Sequence, residues 1–381
     1  MSWICLTGPR CTINIASIIP VGYRTTLSSI LSTMATVRNP KDSMTSTWRQ
    51  WDRSQWRLGH WLVELLDIHL VHDAKYVPVH EKTDKVPYAP EWQFHYWVVL
   101  HASIPLLLHQ AYIAYTGQNL PTWAAFIFYS LSLKFIAVHQ LRILRRVGER
   151  YGFFDGDKHE RDDIPDVGVE KTLHSLVSVI VFRPMMAMAM AYRADQGPSS
   201  LNWLWLPFEI GMYAVVLDFY YYWYHRLMHE NLSLWRFHRT HHLTKHPNPL
   251  LTSYADSTQE FFDIVGIPFM TFATMKLMGF PINFYDWWFC SQYVIFTELL
   301  GHSGLRIEAT AINPMTFLLR MLDMELVIED HDLHHRKGWK KSQNYGKQTR
   351  VWDRLFGTSG TRVEGYRGNV DYVNTAKIPL I

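Results

Sequence analysis

Asp218-Phe-Tyr-Tyr-Tyr-Trp-Tyr-His225-Arg-Leu-Met-His229-Glu-Asn-Leu-Ser-Leu-Trp-Arg-Phe-His238-Arg-Thr-His241-His242 opens on an aromatic run and closes on a cluster of imidazoles. Five of the chain's 20 histidines fall in its last 18 positions, where an even spread would place about one. His225 and His229 are spaced i, i+4; His238, His241 and His242 are spaced i, i+3, i+4. The second spacing recurs in His331-Asp-Leu-His334-His335. Residues three and four apart share a helix face, so each cluster is expected to present its rings in one direction. A surface helix gains nothing from that; a metal does, because neutral imidazole is the commonest metal-binding side chain.

The number of ligands narrows the choice. His302, in Leu-Gly-His-Ser-Gly, joins the eight clustered histidines as a ninth candidate. A zinc site takes four ligands, or three and a water, so nine suit two ions. Imidazole serves zinc, copper, iron and nickel alike, and spacing does not choose among them. Two redox-active ions would suit oxygen chemistry. One HxxxH alone reads as packing, but three clusters, each just beyond an apolar hairpin, do not. The remaining histidines, among them His101, His109, His139, His174 and His246, lack such spacing and read as packing or interface residues. Asp218 lies seven residues before His225, on the same helix face. It could orient an imidazole as a carboxylate behind a metal ligand, bind metal, or cap a polar seam. Asp330 and Asp332, beside His331, read as solvated. Tyr220 to Tyr224 mark a helix leaving a bilayer, or, more sharply, line a substrate entrance.

Outward from these motifs the chain turns apolar. Residues 94–116, 122–141, 172–194, 203–223, 261–280 and 284–300 each approach the ~20 residues that cross a bilayer as helix. They pair into three hairpins, and Arg183-Pro184 interrupts the third stretch. The short links 117–121, 195–202 and 281–283 carry no Lys or Arg, whereas 142–171 carries seven. The positive-inside rule then puts the short links in the lumen and every histidine cluster in the cytosol. The expected fold is all-α, a multi-spanning membrane helical bundle of about three hairpins with a cytosolic helical cap carrying the histidines. Composition agrees: 48% of residues are hydrophobic and 19% charged, against roughly 25% charged in soluble domains. A net charge of +3 is too small for a nucleic-acid binder. Three cysteines without a CxxC pair argue against a disulfide framework or a thiolate zinc site. Residues 1–45, rich in Ser, Thr and Arg, read as a targeting or disordered segment, or as an over-extended start. Residues 46–93 form an N-terminal region whose 47–72 stretch suits an interfacial amphipathic helix or a packed cytosolic one. Residues 94–381 form the membrane-embedded domain.

The quoted stretch, together with His331-Asp-Leu-His334-His335, Asn344-Tyr345-Gly346 and Trp352-Asp353-Arg354-Leu355-Phe356-Gly357-Thr358, resembles the fatty acid hydroxylase/sterol desaturase superfamily over 205–358. The resemblance implies a multi-pass endoplasmic-reticulum protein with a cytosol-facing di-iron centre. It further implies the use of O2 and of electrons from NAD(P)H, relayed through a cytochrome b-type haem protein and its reductase. The expected reaction is hydroxylation or desaturation of a membrane lipid: a sterol or terpenoid, a sphingoid base, a fatty-acyl or an ether lipid. It carries His225, His229, His238, His241, His242, His302, His331, His334 and His335 over as ligands. Some members have one further histidine just after the His302 position, where this chain has Ser303-Gly304-Leu305-Arg306.

His246-Pro247-Asn248-Pro249 lacks the glycines of a cytochrome b-type haem motif, and there is no GxGxxG loop, so electrons are expected from a partner. Arg336, Lys337, Lys340, Lys341, Lys347 and Arg350 could steer an acidic carrier, touch anionic headgroups, or simply be solvated. Two other classes compete. A membrane metal transporter would place its histidines within the spans, and an inactive relative would only bind lipid.

Overall fold

The computed structural model describes residues 40–72, 74–156 and 163–381. The expectation for 1–45 therefore falls almost wholly outside the described residues, as do Lys158 and Arg161 of the basic link. Residues 47–72 are not one continuous helix. They form short turns at Trp48–Gln50 and Arg53–Gln55 and then helix α1, Leu58–Leu66. The stretch is packed: Trp48 is fully buried, its indole donates to the Ile164 carbonyl, and Asp166 accepts from the Thr47 and Trp48 amides.

The bundle follows. Helices α2 (Glu91–Thr116) and α3 (Thr122–Tyr151) form one hairpin, with Gly117 closing α2 at φ +70°. That left-handed conformation is one glycine adopts without strain. Helices α4 (Val169–Ala191), which packs on α3, and α5 (Leu206–Glu230) are the second pair along the chain. The third begins as a broken helix: α7 (Ser257–Phe261) passes through a wide π turn at Phe262–Gly266 into α8 (Ile267–Leu277). Pro268 has no amide to donate four residues back, and such a gap favours a π turn there. Helix α9 (Phe284–Gly301) completes the hairpin; Asn283 caps it, accepting from the Tyr285 and Asp286 amides. The short helix α6 (Leu232–His238) links the second and third hairpins.

Among the described residues three helices, α2, α3 and α4, are long and apolar enough to cross a membrane. Their outer faces stay bare, with Leu107 68% and Phe135 66% exposed, as lipid contact requires. Helix α9 is buried on most of its circumference, with Trp287, Phe289 and Phe296 among its buried side chains, so it is the centre of the bundle. The middle of α5 is clasped by the C-terminal segment, where the Trp352 indole donates to the Val215 carbonyl and Asp218 accepts from the Thr349 amide. The three short links gather at one end: Asn119 donates to the Ala194 and Gln196 carbonyls, Tyr285 to Gln196, and Asn283 to Ser200.

At the other end lies the cap, built from α6, α10 (Thr316–Met321), α11 (Ile328–Lys337) and α12 (Val351–Leu355). Two residue pairs, Val86 with Val370 and Pro87 with Asp371, form a parallel ladder tying the approach to α2 to the C-terminal segment. The structure is thus an all-α membrane bundle.

Candidate metal centre

All nine candidate histidines come together, in two sets. His225, His229, His238, His242 and His334 offer ring nitrogens within 4.8 Å of one another, and so do His241, His302, His331 and His335. Every one of them is buried. The expectation that each cluster faces one way is corrected here. Helix α6 ends at His238, and His241–Leu243 is a separate tight turn, so His238 and His242 enter the first set while His241 enters the second. In α11, His331 and His335 sit one turn apart and share the second set, whereas His334 enters the first. The sets adjoin, since the His242 and His335 rings stack with centroids 4.7 Å apart.

Hydrogen bonding fixes the rings. His225 Nδ1 donates to the Tyr345 carbonyl at 2.7 Å, His229 Nδ1 to Trp339 at 3.0 Å and His334 Nδ1 to Gln343 at 2.8 Å. In the second set, His302 Nδ1 donates to the Glu298 carbonyl at 2.8 Å and His335 Nδ1 to Thr244 at 3.0 Å. A carbonyl only accepts, so the proton of each neutral ring is on Nδ1 and the Nε2 lone pair points inward. His238 Nδ1 lies 2.9 Å from the Gln259 side-chain oxygen. Metal-bound histidines are held in this way from behind.

The inward nitrogens test whether metal fits. His242 Nε2 lies 3.1 Å from Nε2 of both His229 and His334. His302 Nε2 lies 2.9 Å from that of His331 and 3.3 Å from that of His241. His229, His334 and His302 bring bare lone pairs to these contacts, and one proton on His242 could serve only one of its two. Nε2 of His225, His238 and His335 has no partner and is buried. A cation about 2.0–2.1 Å from each nitrogen relieves all of these contacts, because ligands so placed are themselves about 3 Å apart. The sets fit metal ions. Burial holds the pKa of His238, His241, His242, His331, His334 and His335 well below the ordinary histidine value, and that of His302 down to about 4. Neighbouring imidazoles reinforce the effect in the first six. The rings are neutral at physiological pH and ready to ligate.

Asp218 touches no imidazole. Its carboxylate accepts from the Lys347, Gln348 and Thr349 amides at 2.8–3.1 Å and from the Thr349 hydroxyl at 2.8 Å. Asp353 holds the same loop through the Tyr345 and Gly346 amides. Together they set the Tyr345 carbonyl that accepts from His225. The Asn-Tyr-Gly and Trp-Asp-Arg motifs thus act through backbone position.

Two readings are overturned. Asp330 and Asp332 are buried, not solvated; Asp330 pairs with Arg362 at 2.9 Å and Asp332 with Arg336 at 2.6 Å. Of the basic stretch, Lys347 pairs inward with Glu298 at 2.9 Å and Arg350 is buried beside Asp330, leaving Lys337, Lys340 and Lys341 exposed. Sequence reasoning missed Gln259, which stands alone without metal-ligand spacing, and gave Asp353 no role beyond its place in the Trp352-Asp353-Arg354 motif. It also missed the accepting carbonyls, which leave no trace in residue type.

Residues 210–358 match the fatty acid hydroxylase family. The chain is 41% identical over 302 residues to the fatty acid hydroxylase vlmA of Lecanicillium sp, a match covering 76% of this chain and 82% of that one. It is 27% identical over 173 residues to alkylglycerol monooxygenase of Homo sapiens, covering 44% and 33%. Methylsterol monooxygenase 2-1 of Arabidopsis thaliana is 27% identical over 191 residues, covering 48% and 66%. No solved structure matches.

Proposed function

The chain belongs to the fatty acid hydroxylase family and is an oxygen-using oxidoreductase, and from that premise we propose that it hydroxylates a membrane lipid at a di-iron centre. Desaturation is the alternative outcome of the same chemistry. One ion is held by His225, His229, His238, His242 and His334, and the other by His241, His302, His331 and His335. The observation that carries this reading is the convergence of nine ring nitrogens in two adjoining buried sets, with Nε2 of His225, His229, His302, His334 and His335 left hydrogen-free by the carbonyl behind each ring. Iron so held supplies the activation of O2 that an inert C–H bond requires.

The chain's own residues do the rest. Carbonyls of Tyr345, Trp339, Gln343, Glu298 and Thr244 fix the tautomers, and Asp218 and Asp353 hold the loop behind His225. Complete burial keeps water from a reactive centre. Cytosolic orientation, the endoplasmic reticulum, and a cytochrome b-type donor with its NAD(P)H-linked reductase belong to the same proposal. So does the division into a disordered or targeting segment 1–45, an N-terminal amphipathic or interfacial region 46–93 and the membrane-embedded domain 94–381. The substrate class stays within sterols or terpenoids, sphingoid, fatty-acyl and ether lipids.

The test is turnover in membranes containing the chain. O2 and NAD(P)H are consumed with a lipid substrate, purified protein carries two irons per chain, and His241→Ala abolishes turnover while the protein still inserts. Undiminished turnover in His241→Ala overturns the assignment. Iron well below two per chain under iron-replete growth favours an inactive lipid binder, and metal flux in vesicles independent of O2 favours a transporter.

A further inference from the structure

One member of the first histidine set, His229, is fastened to a tryptophan at the surface of the cap. The Trp339 carbonyl accepts from His229 Nδ1, and the Trp339 indole N–H donates to the His229 carbonyl at 2.9 Å. Trp235 lies flat against Trp339, with ring centroids 5.4 Å apart and planes 11° from parallel, a stacking that aromatic pairs favour. Trp235 in turn reaches three rings of the set. Its centroid is 5.2 Å from that of His229, 5.5 Å from that of His242 and 6.0 Å from that of His238. Both indoles are half-buried while the histidines are buried, so the pair spans from water to the proposed ligands. The second set has no such neighbour: among the described residues, only imidazoles pack on its rings.

The charge around the pair has one sign. Residues 231–245 and 336–352, which carry the two tryptophans, contain no Asp or Glu. They present Arg236, Arg239, Lys245, Lys337, Lys340 and Lys341, all exposed. Lys340 Nζ stands 4.8 Å from the centre of the Trp339 ring, and the Lys245 ammonium lies against Gly338 beside it. Such a patch is complementary to an acidic surface. Cations alone would serve lipid headgroups as well. The rings decide between the two, because a headgroup gains nothing from stacked indoles that lead inward to imidazoles, whereas an electron crosses short gaps between π systems.

We propose that Trp235 and Trp339 are the port through which electrons reach the first set, and that the surrounding cations dock an acidic one-electron carrier protein over them. This rests on the oxygenase reading for the iron that receives the electron. The carrier is oxidised by one electron, an iron held by the first set passes from ferric to ferrous, and both indoles end unchanged. A second transfer supplies the other ion through the His242 and His335 rings, which stack between the sets.

Docking and transfer are read separately on the full-length chain, with the soluble haem domain of an acidic cytochrome b-type protein as probe. Association is measured with metal-free protein at low and raised salt. Oxidation of the reduced haem by ferric, iron-loaded protein is followed without O2 by stopped flow. The wild type binds the probe, and association slows steeply as salt is raised. Lys340→Glu combined with Lys341→Glu slows association by about tenfold or more, the scale of electrostatic steering. Trp235→Leu slows haem oxidation several-fold at saturating probe, with iron content and reduction by dithionite as in the wild type. Trp235→Phe serves if that variant does not fold, and slows oxidation less. Haem oxidation unchanged in both Trp235 variants overturns the port. Association unchanged in the charge variant overturns the docking surface, as does binding to phosphatidylserine vesicles with none to the haem domain. Wild-type protein that takes up no iron overturns the di-iron reading and the port with it, while association with metal-free protein still decides the docking surface.

Discussion

The buried histidines make stability depend on pH in a defined direction. Their pKa values are depressed in the folded chain, with His302 at about 4, against about 6.5 when unfolded. The unfolded chain therefore binds more protons below about 6.5, and stability is lost as pH falls from there toward 4. Metal-stripped protein should lose on the order of 1.4 kcal/mol per pH unit for each such histidine, read as a falling unfolding midpoint between pH 7 and 5. A flat profile would mean that these rings are not held neutral. Asp218 gives a second expectation. Asp218→Ala leaves three amides of the 347–349 loop without their acceptor, at about 1–3 kcal/mol each if they stay buried. The Tyr345 carbonyl then drifts from His225, and metal content should fall from two ions toward one, with the His241–His302–His331–His335 set retained. Equal loss from both sets would contradict the role given to this loop. The members of the two histidine sets were legible in the sequence because they are side chains, most of them at close, repeated spacing. What orients them is mostly main-chain carbonyl, which any residue supplies.

Among the elements, α11 is anchored through buried acids. Glu329 accepts from the Val363, Glu364 and Gly365 amides at 2.7–2.9 Å, and Asp330 pairs with Arg362. Arg362→Met takes its nearest cation from buried Asp330 and leaves only Arg350 at 3.9 Å, which should destabilise the chain by about 3 kcal/mol. Adding Asp330→Asn should recover part of that loss in thermal unfolding. Additive effects of the two changes would exclude coupling. The helices themselves were plain in the sequence from apolar runs bounded by Gly117, Asn283 and Pro281. The break between His238 and His241 was not, because i, i+3, i+4 spacing fits a turn as well as a continuous helix. The π turn ahead of Pro268 was likewise hidden inside an apolar run that reads as one span.

For the whole molecule, the gathering of the short links at one end and the histidines at the other makes orientation testable. With a membrane-impermeant thiol reagent on sealed vesicles, Lys340→Cys should label from the cytosolic side and Gln118→Cys only from the opposite side. Labelling of both from one side would break the hairpin topology. The lipid-facing class was readable from composition and from basic residues confined to one set of links. The inward ion pairs of Lys347 and Arg350 were not, since charge in a sequence does not announce its burial. The interleaving of the two histidine sets governs how the protein is made. Because the 238–242 and 331–335 segments each donate to both sets, neither ion has its full cage until the chain beyond residue 335 has left the ribosome and docked. A nascent chain halted before His331 lacks one of the five histidines of the first set and two of the four of the second, so completion of the proposed centre waits on the C-terminal segment.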